Sequence, residues 1–290
     1  MKWFMQLPWM KVAKELGRQI DQDDVFNGAA VLGFYLTLAV FPALIFLLSL
    51  LPYLPIRYLD DAIMELLGSA LPEAAADLLE ETVRRIVSER QGGLLSFGFL
   101  GMLWAASTGM VAVMHQLNNT YNVKEARPFL KARATAILLT LLFGTVVIGT
   151  FALIVLGGVL QAWLARFVGL SPILLTSFAS LRWGIILAAL LFGIALVYHL
   201  APNTERPLKW LTPGAIFAVV GIMAASLAFQ LYIEHFANYE ATYGAIGAVI
   251  MLMLWFYVVG LVLLLGSEIN VVIEHFRSDA PPSNKQASLG

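Results

Sequence analysis

Glu268 closes an apolar stretch, 244–267, that carries no other charge, within the string Gly266-Ser267-Glu268-Ile269-Asn270. An acid so close to hydrocarbon is costly unless it is paired or hydrated. Two readings follow. Glu268 is a proton-coupling group or a salt-bridge partner for Arg127 or Arg133, or it sits just outside the apolar core among headgroups. Asn270 extends this polar end, and Tyr243 stands at the other. Trp255, Phe256 and Tyr257 fall near the middle of the stretch, where the N–H of Trp and the O–H of Tyr find no partner in hydrocarbon. At least one of Trp255 and Tyr257 is therefore expected to turn inward, toward a polar partner or a hydrated cavity. Gly260, one turn on, would let another helix approach closely.

A second concentration of polar groups reads His115-Gln116-Leu117-Asn118-Asn119-Thr120-Tyr121-Asn122, followed by Lys124, Arg127, Lys131 and Arg133. Basic groups beside a membrane attract anionic headgroups. Asn118, Tyr121, Arg127 and Arg133 are thus candidates for binding a headgroup or admitting a substrate; the plainer alternative is ordinary charge anchoring. Pro42 lies inside an apolar run and removes one helical hydrogen bond. It is either a hinge that exposes carbonyls to a cavity or a static packing kink. Small residues recur at helical spacing, as Ala29 and Gly33, Ala105 and Gly109, Gly244 and Gly247, then Gly260 and Gly266. Close helix packing accounts for them, with homodimer contact or a sliding gate as alternatives.

Other chemistry is not indicated. The chain has no cysteine, which removes disulfides and thiolate sites. His115, His199, His235 and His275 show no i, i+4 pair with a helper carboxylate, so no metal is expected. No phosphate-cradling glycine loop with its lysine is present, and no cofactor is expected.

These residues need a scaffold, and composition identifies it. Sixty per cent of the 290 residues are hydrophobic, 13% are charged, and mean hydropathy is +0.80. Soluble domains carry about 25% charged residues. The chain is thus expected to be an all-α membrane protein, a bundle of six transmembrane helices with amphipathic interfacial helices. Spans of ~20 apolar residues are expected at about 29–52, 94–114, 134–160, 183–200, 212–233 and 244–267. Residues 1–28 form an interfacial segment with no cleavable signal. Its apolar stripe is Trp3, Leu7, Met10, Ala13 and Ile20, with Pro8 near the start. The loop 53–93 is expected to carry an outer amphipathic helix over residues 73–90. The tail 278–290 is disordered by composition. Six spans with a cytoplasmic N-terminus place twelve Lys and Arg inside and six outside, which favours both termini in the cytoplasm. Net charge is −1, so no bulk attraction to nucleic acid is expected.

Several strings also resemble the YihY / BrkB family of bacterial inner-membrane proteins. They are Gly33-Phe34-Tyr35-Leu36-Thr37 with Phe41-Pro42, then Leu117-Asn118, Tyr121, Val123, Glu125, Arg127-Pro128 and Phe129. Pro202-Asn203, Pro213-Gly214, Phe229, Tyr232, Thr242-Tyr243-Gly244-Ala245, Trp255, Tyr257, Gly266, Glu268 and Asn270 continue the match. The resemblance covers about residues 25–275, and its specificity lies in the order and spacing of the strings. Ala39 departs from it, where a serine would be expected. The resemblance implies six helices and cytoplasmic termini. Members have been linked to serum resistance and envelope lipid export, have been proposed as transporters, and carry an old ribonuclease BN label.

The leading expectation is a transporter-class protein that handles a lipid or amphipathic envelope substrate. Its expected partners are membrane lipids, including anionic headgroups, with a homo-oligomer as a further possibility. The rival is a non-transporting scaffold in envelope assembly. An RNA-cleaving enzyme is disfavoured, because that chemistry needs placed acid–base groups or metals and a basic face, against scattered charges here.

Overall fold

The structure is a computed structural model and describes residues 8–50, 92–168, 171–204, 211–236 and 239–278. These residues form helices and no strand. The helices are α1 (Trp9–Gln22), α2 (Val25–Leu50), α3 (Gly92–Thr120), α4 (Phe129–Trp163), α5 (Pro172–Leu200), α6 (Pro213–Phe236) and α7 (Tyr239–Ser278), with a π-helical turn at Leu164–Val168 after α4. Six of them, α2 to α7, are long and apolar enough to cross a membrane. At 1.5 Å per residue, even the 24-residue α6 reaches about 36 Å. Hydroxyls within the spans meet their needs locally. Those of Thr140, Thr145, Thr150 and Ser226 each donate to the carbonyl four residues back, at 2.7–2.8 Å.

The chain divides into two compact units, residues 1–34 with 110–290 and residues 35–109. In the smaller unit, α2 runs through Pro42 without a break. Glycines of α3 receive it. A Cβ on Gly98 would stand 2.9 Å from the Phe46 backbone, and one on Gly101 would stand 3.5 Å from Pro42. The Phe46 and Phe99 rings meet at 5.5 Å.

In the larger unit α6 packs on α7, α4 on α5, α5 on α6 and α1 on α7. Its core gathers Met114, Leu117, Leu139, Ile194, Tyr198 and Ala218. The first turns of α2 lie against α7 through small residues, as their spacing suggested. A Cβ on Gly33 would stand 3.0 Å from the Tyr257 nitrogen, and one on Gly260 would stand 3.3 Å from the Ala29 oxygen.

Three expectations need correction or qualification. α1 begins at Trp9 after Pro8, but its packed face is Val12, Leu16 and Ile20, against Val272, Phe276 and the foot of α2. Met10, expected on the apolar stripe, is 86% exposed. Two interlaced apolar faces were available, and contact with α7 selects the one at i, i+4, i+8. Second, α5 starts eleven residues before the apolar stretch read as 183–200. Arg182 does not end the helix. Its side chain lies against Gly157 and Gly158 of α4. Third, the expected outer helix at 73–90 and the tail 279–290 lie outside the described residues.

Candidate functional site

Polar side chains gather where α3 ends, α4 and α6 begin, and α5 and α7 approach their ends. Asn118 is 3% exposed. Its amide donates to Glu125 Oε2 at 3.0 Å, and its carbonyl oxygen accepts the Asn203 backbone N–H at 2.7 Å. A left-handed Asn122, φ 53°, turns the chain out of α3. Glu125 also accepts the Arg127 backbone N–H, and its carboxylate lies 3.8 Å from the Arg127 Nε. The Arg127 guanidinium donates to the carbonyls of Leu200, Ala201 and Pro202 at 2.9–3.3 Å. It thereby covers the C-terminal carbonyls of α5, which lack helical partners. Tyr121 and Arg133 are half-buried.

A few residues away lies a buried cluster. Glu268 is fully enclosed and accepts a hydrogen bond from the Thr120 hydroxyl at 2.8 Å. The Ser267 hydroxyl donates to the Leu264 carbonyl at 2.8 Å and lies 3.3 Å from the Thr120 oxygen. Asp23, in the link between α1 and α2, has its carboxyl within hydrogen-bonding reach of Glu268. Gln116 fixes that link by donating to the Asp23 backbone carbonyl at 2.7 Å, over a close approach to Gly28. Burial pushes the Asp23 carboxyl above its ordinary value of 3.8, and the hydrogen bond with Glu268 offsets part of this.

The expected pairing of Glu268 with Arg127 or Arg133 is therefore corrected. Among the described residues Glu268 has no basic partner, and its neighbours are Thr120 and a second acid. Arg127 is engaged by Glu125 and the end of α5, which a planar five-donor fork suits better than one carboxylate.

Asn270 accepts the Gly214 backbone N–H at 2.7 Å. This joins α7 to an N–H in the first turn of α6, which has no helical acceptor. Beside it a Cβ on Gly214 would fall on the Gly266 carbonyl. The Tyr198 hydroxyl donates to the Leu263 carbonyl at 2.5 Å. Trp255 and Tyr257 are both half-buried. Trp255 meets the Phe229 ring at 5.2 Å, and Tyr257 packs on the cluster of Val25, Ala29, Leu32 and Leu264. Both have inward contacts, but among the described residues these are apolar, where a polar partner or hydrated cavity was expected. Pro42 lies in the other unit, against Gly101. The Tyr243 side chain lies outside what is described.

Thus Asn118 and Arg127 join one network, Glu268 and Asn270 mark two further contacts of α7, and the aromatics stand apart. Sequence reasoning missed Asp23, Thr120, Ser267 and Asn203. The available signals were the adjacent acids Asp23-Asp24 between two helices and the hydroxyl beside Glu268. Among the described residues no three His, Cys, Asp or Glu gather to hold a metal.

Comparison with known proteins gives these features a family. YfkH of Bacillus subtilis (strain 168), whose name describes it as ribonuclease-like, is 38% identical over 275 residues, covering 95% of this chain and 99% of its own. A UPF0761 membrane protein of Chromobacterium violaceum is 25% identical over 94% of this chain but 64% of its own length. Another, from Pseudoalteromonas translucida, is 39% identical over 31% of this chain and 32% of its own. No solved structure matches. The family model described as virulence factor BrkB matches residues 16–289, and with six membrane-spanning helices the chain is an integral membrane protein that belongs to this family.

Proposed function

We propose that the chain is a transporter-class protein of the bacterial inner membrane, with both termini cytoplasmic, that handles a lipid or amphipathic envelope substrate. The observation that carries this reading is Glu268, an acid fully enclosed in a spanning helix with a second acid and, among the described residues, no basic group as its ionisable neighbour. An ionisable group kept inside a membrane bundle at such cost marks a pathway or a coupling site by default. A scaffold has no need of it, since an apolar side chain would close the same space. The loop charges support the orientation. Phe129 and Leu130, both about four-fifths exposed beside Lys131, support contact with lipid, since apolar and basic groups together suit a headgroup boundary.

The ribonuclease reading borrowed from the name of YfkH finds less support. Arg127 is engaged within the fold, and Glu268 is enclosed.

The test is reconstitution into liposomes with a fluorescent lipid, following its movement between leaflets with and without a proton gradient. Lipid movement that the gradient accelerates, and that Glu268→Gln reduces at least tenfold, is expected. Folded protein that leaves the lipid distribution unchanged under both conditions would sink the reading.

A further inference from the structure

Asp23 Oδ2 and Glu268 Oε2 are both buried, and no donor among the described residues reaches either. The other Glu268 oxygen takes the Thr120 hydroxyl. Buried polar atoms are nearly always partnered, so two orphaned oxygens on adjacent carboxyls need a common explanation. Each accepts only when ionised, but one added proton turns the pair into donor and acceptor and satisfies both atoms.

The surroundings leave no other source of compensation among the described residues. α1 contributes Gln19, whose side-chain oxygen is itself without a donor. The adjacent Asp24 is exposed and binds Asn27 at 2.8 Å. α2 presents Val25, Ala29 and Leu32. α3 presents Gln116 and Thr120, while its His115 is exposed. On α5 the Tyr198 hydroxyl is engaged by Leu263. Further along α7, His275 is exposed and stands near Glu15. The charge felt at Glu268 is that of Asp23.

We propose that Asp23 and Glu268 hold a single proton between them, so that the α1–α2 link and α7 together form a proton-binding site. Two like charges on facing, orphaned oxygens repel, and one shared proton removes that repulsion. Loss of the proton leaves two facing carboxylates that repel. The repulsion falls on the two-residue link, which the Gln116 side chain holds at the Asp23 carbonyl and where Asp24 has a left-handed conformation with φ 51°. Occupancy by a proton stands independently of transport. Use of that proton to move a substrate rests on the transporter reading above.

The test is infrared difference spectroscopy of the full chain in liposomes, titrated with acid and base and without any substrate. The expected result is a protonated-carboxyl C=O band that persists near neutral pH, titrates in one step, and disappears in both Glu268→Gln and Asp23→Asn, while Asp24→Asn retains it. Using two variants keeps the test decisive if either fails to insert. Bands unchanged in both variants would overturn the proposal. So would loss of the band on adding sodium at fixed pH, which would assign the site to a metal cation. A negative lipid-movement assay alongside the expected band would reject the transporter reading and leave the proton site standing.

Discussion

The α6–α7 contact and the α2–α3 contact both bring two spanning backbones together over glycine, and they differ in what accompanies the close approach. Between α6 and α7, Gly214 and Gly266 meet backbone to backbone, with the Asn270 side-chain oxygen accepting the Gly214 N–H. Between α2 and α3, Gly98 and Gly101 receive Phe46 and Pro42, and the contacts described are apolar. Small residues set the distance in both, since association in lipid depends on packing. The first contact also carries a hydrogen bond that would lose its geometry if the helices moved apart. A Cβ on Gly214 would fall on backbone, whereas one on Gly101 would stand at an ordinary van der Waals distance, so rigidity is expected in α6–α7 and more tolerance in α2–α3.

The largest effect should come from Gly214→Ala. The added carbon would land on the Gly266 carbonyl, which is backbone and cannot rotate aside. Overpacking of this kind costs about 3 kcal/mol or more, together with the Asn270 hydrogen bond. Loss of the folded peak in detergent chromatography, or a large drop in thermal midpoint, is the expected readout. A variant as stable as the parent would mean that the two helices are not in contact there.

Next in size is Thr120→Val, which removes the one hydroxyl among the described residues that reaches Glu268 and leaves a buried carboxyl oxygen without its donor. That costs about 1–3 kcal/mol. Thr120→Ser keeps the donor and should recover most of the loss. Gly98→Ala should cost about the same, about 1–3 kcal/mol, because Phe46 backbone atoms stand 2.9 Å from the new carbon and the helices must shift. Equal losses at Gly98 and Gly214 would erase the contrast between the two contacts.

Much of this architecture was readable in the sequence, for a definite reason. Hydrocarbon demands long apolar helices, so α2 to α7 declare themselves through hydropathy alone. Close helix approaches at Ala29, Gly33 and Gly260 were also visible in their spacing, though not which helices meet there. The sequence misleads where a polar residue is satisfied by a distant partner. Hydropathy ends a stretch at Arg182, yet α5 continues on both sides of it because Gly157 and Gly158 make room. It ends another at Glu268, while α7 runs on to Ser278. Thr120 and Glu268 stand 148 residues apart, and nothing local links them. Arg127 looked like a free basic group because its acceptors are backbone carbonyls, which leave no mark on side-chain pattern.

A smaller effect, and a different one, is expected from pH. The folded Asp23 carboxyl titrates above its ordinary 3.8, so the folded chain binds this proton more tightly than the unfolded chain does. Its contribution therefore favours the fold at pH values below 3.8, and is lost as pH rises through the raised folded value. Glu15 behaves oppositely. Arg18 holds its carboxyl below the usual range, so its contribution is present above the ordinary 4.5 and fades as pH falls through the lowered value. That pair lies on the surface, where solvent screens it. The net expectation is a thermal midpoint that declines as pH rises from acid toward neutral, with a shallower decline in Glu268→Gln, whose amide can donate to Asp23 at any pH. An identical slope in the two proteins would remove Asp23 and Glu268 from the account.

The smallest effect should come from Gly101→Ala, and it sharpens the opening contrast most. A Cβ there would stand 3.5 Å from the Pro42 ring, an ordinary van der Waals contact that displaces nothing. Alanine also restricts the unfolded chain and suits a helix better than glycine, a gain of about 0.5–1 kcal/mol where the space allows it. The variant should thus be neutral or slightly stabilised in thermal unfolding. If Pro42 is a static packing kink, function should persist as well, since filling a static groove changes no equilibrium between shapes. If Pro42 is a hinge, the new methyl group removes room through which α2 bends. Lipid movement in the reconstituted assay should then fall while stability holds or rises. Stability and activity lost together would show instead that the groove at Pro42 is as tight as the one at Gly214, and the contrast between the two contacts would fail.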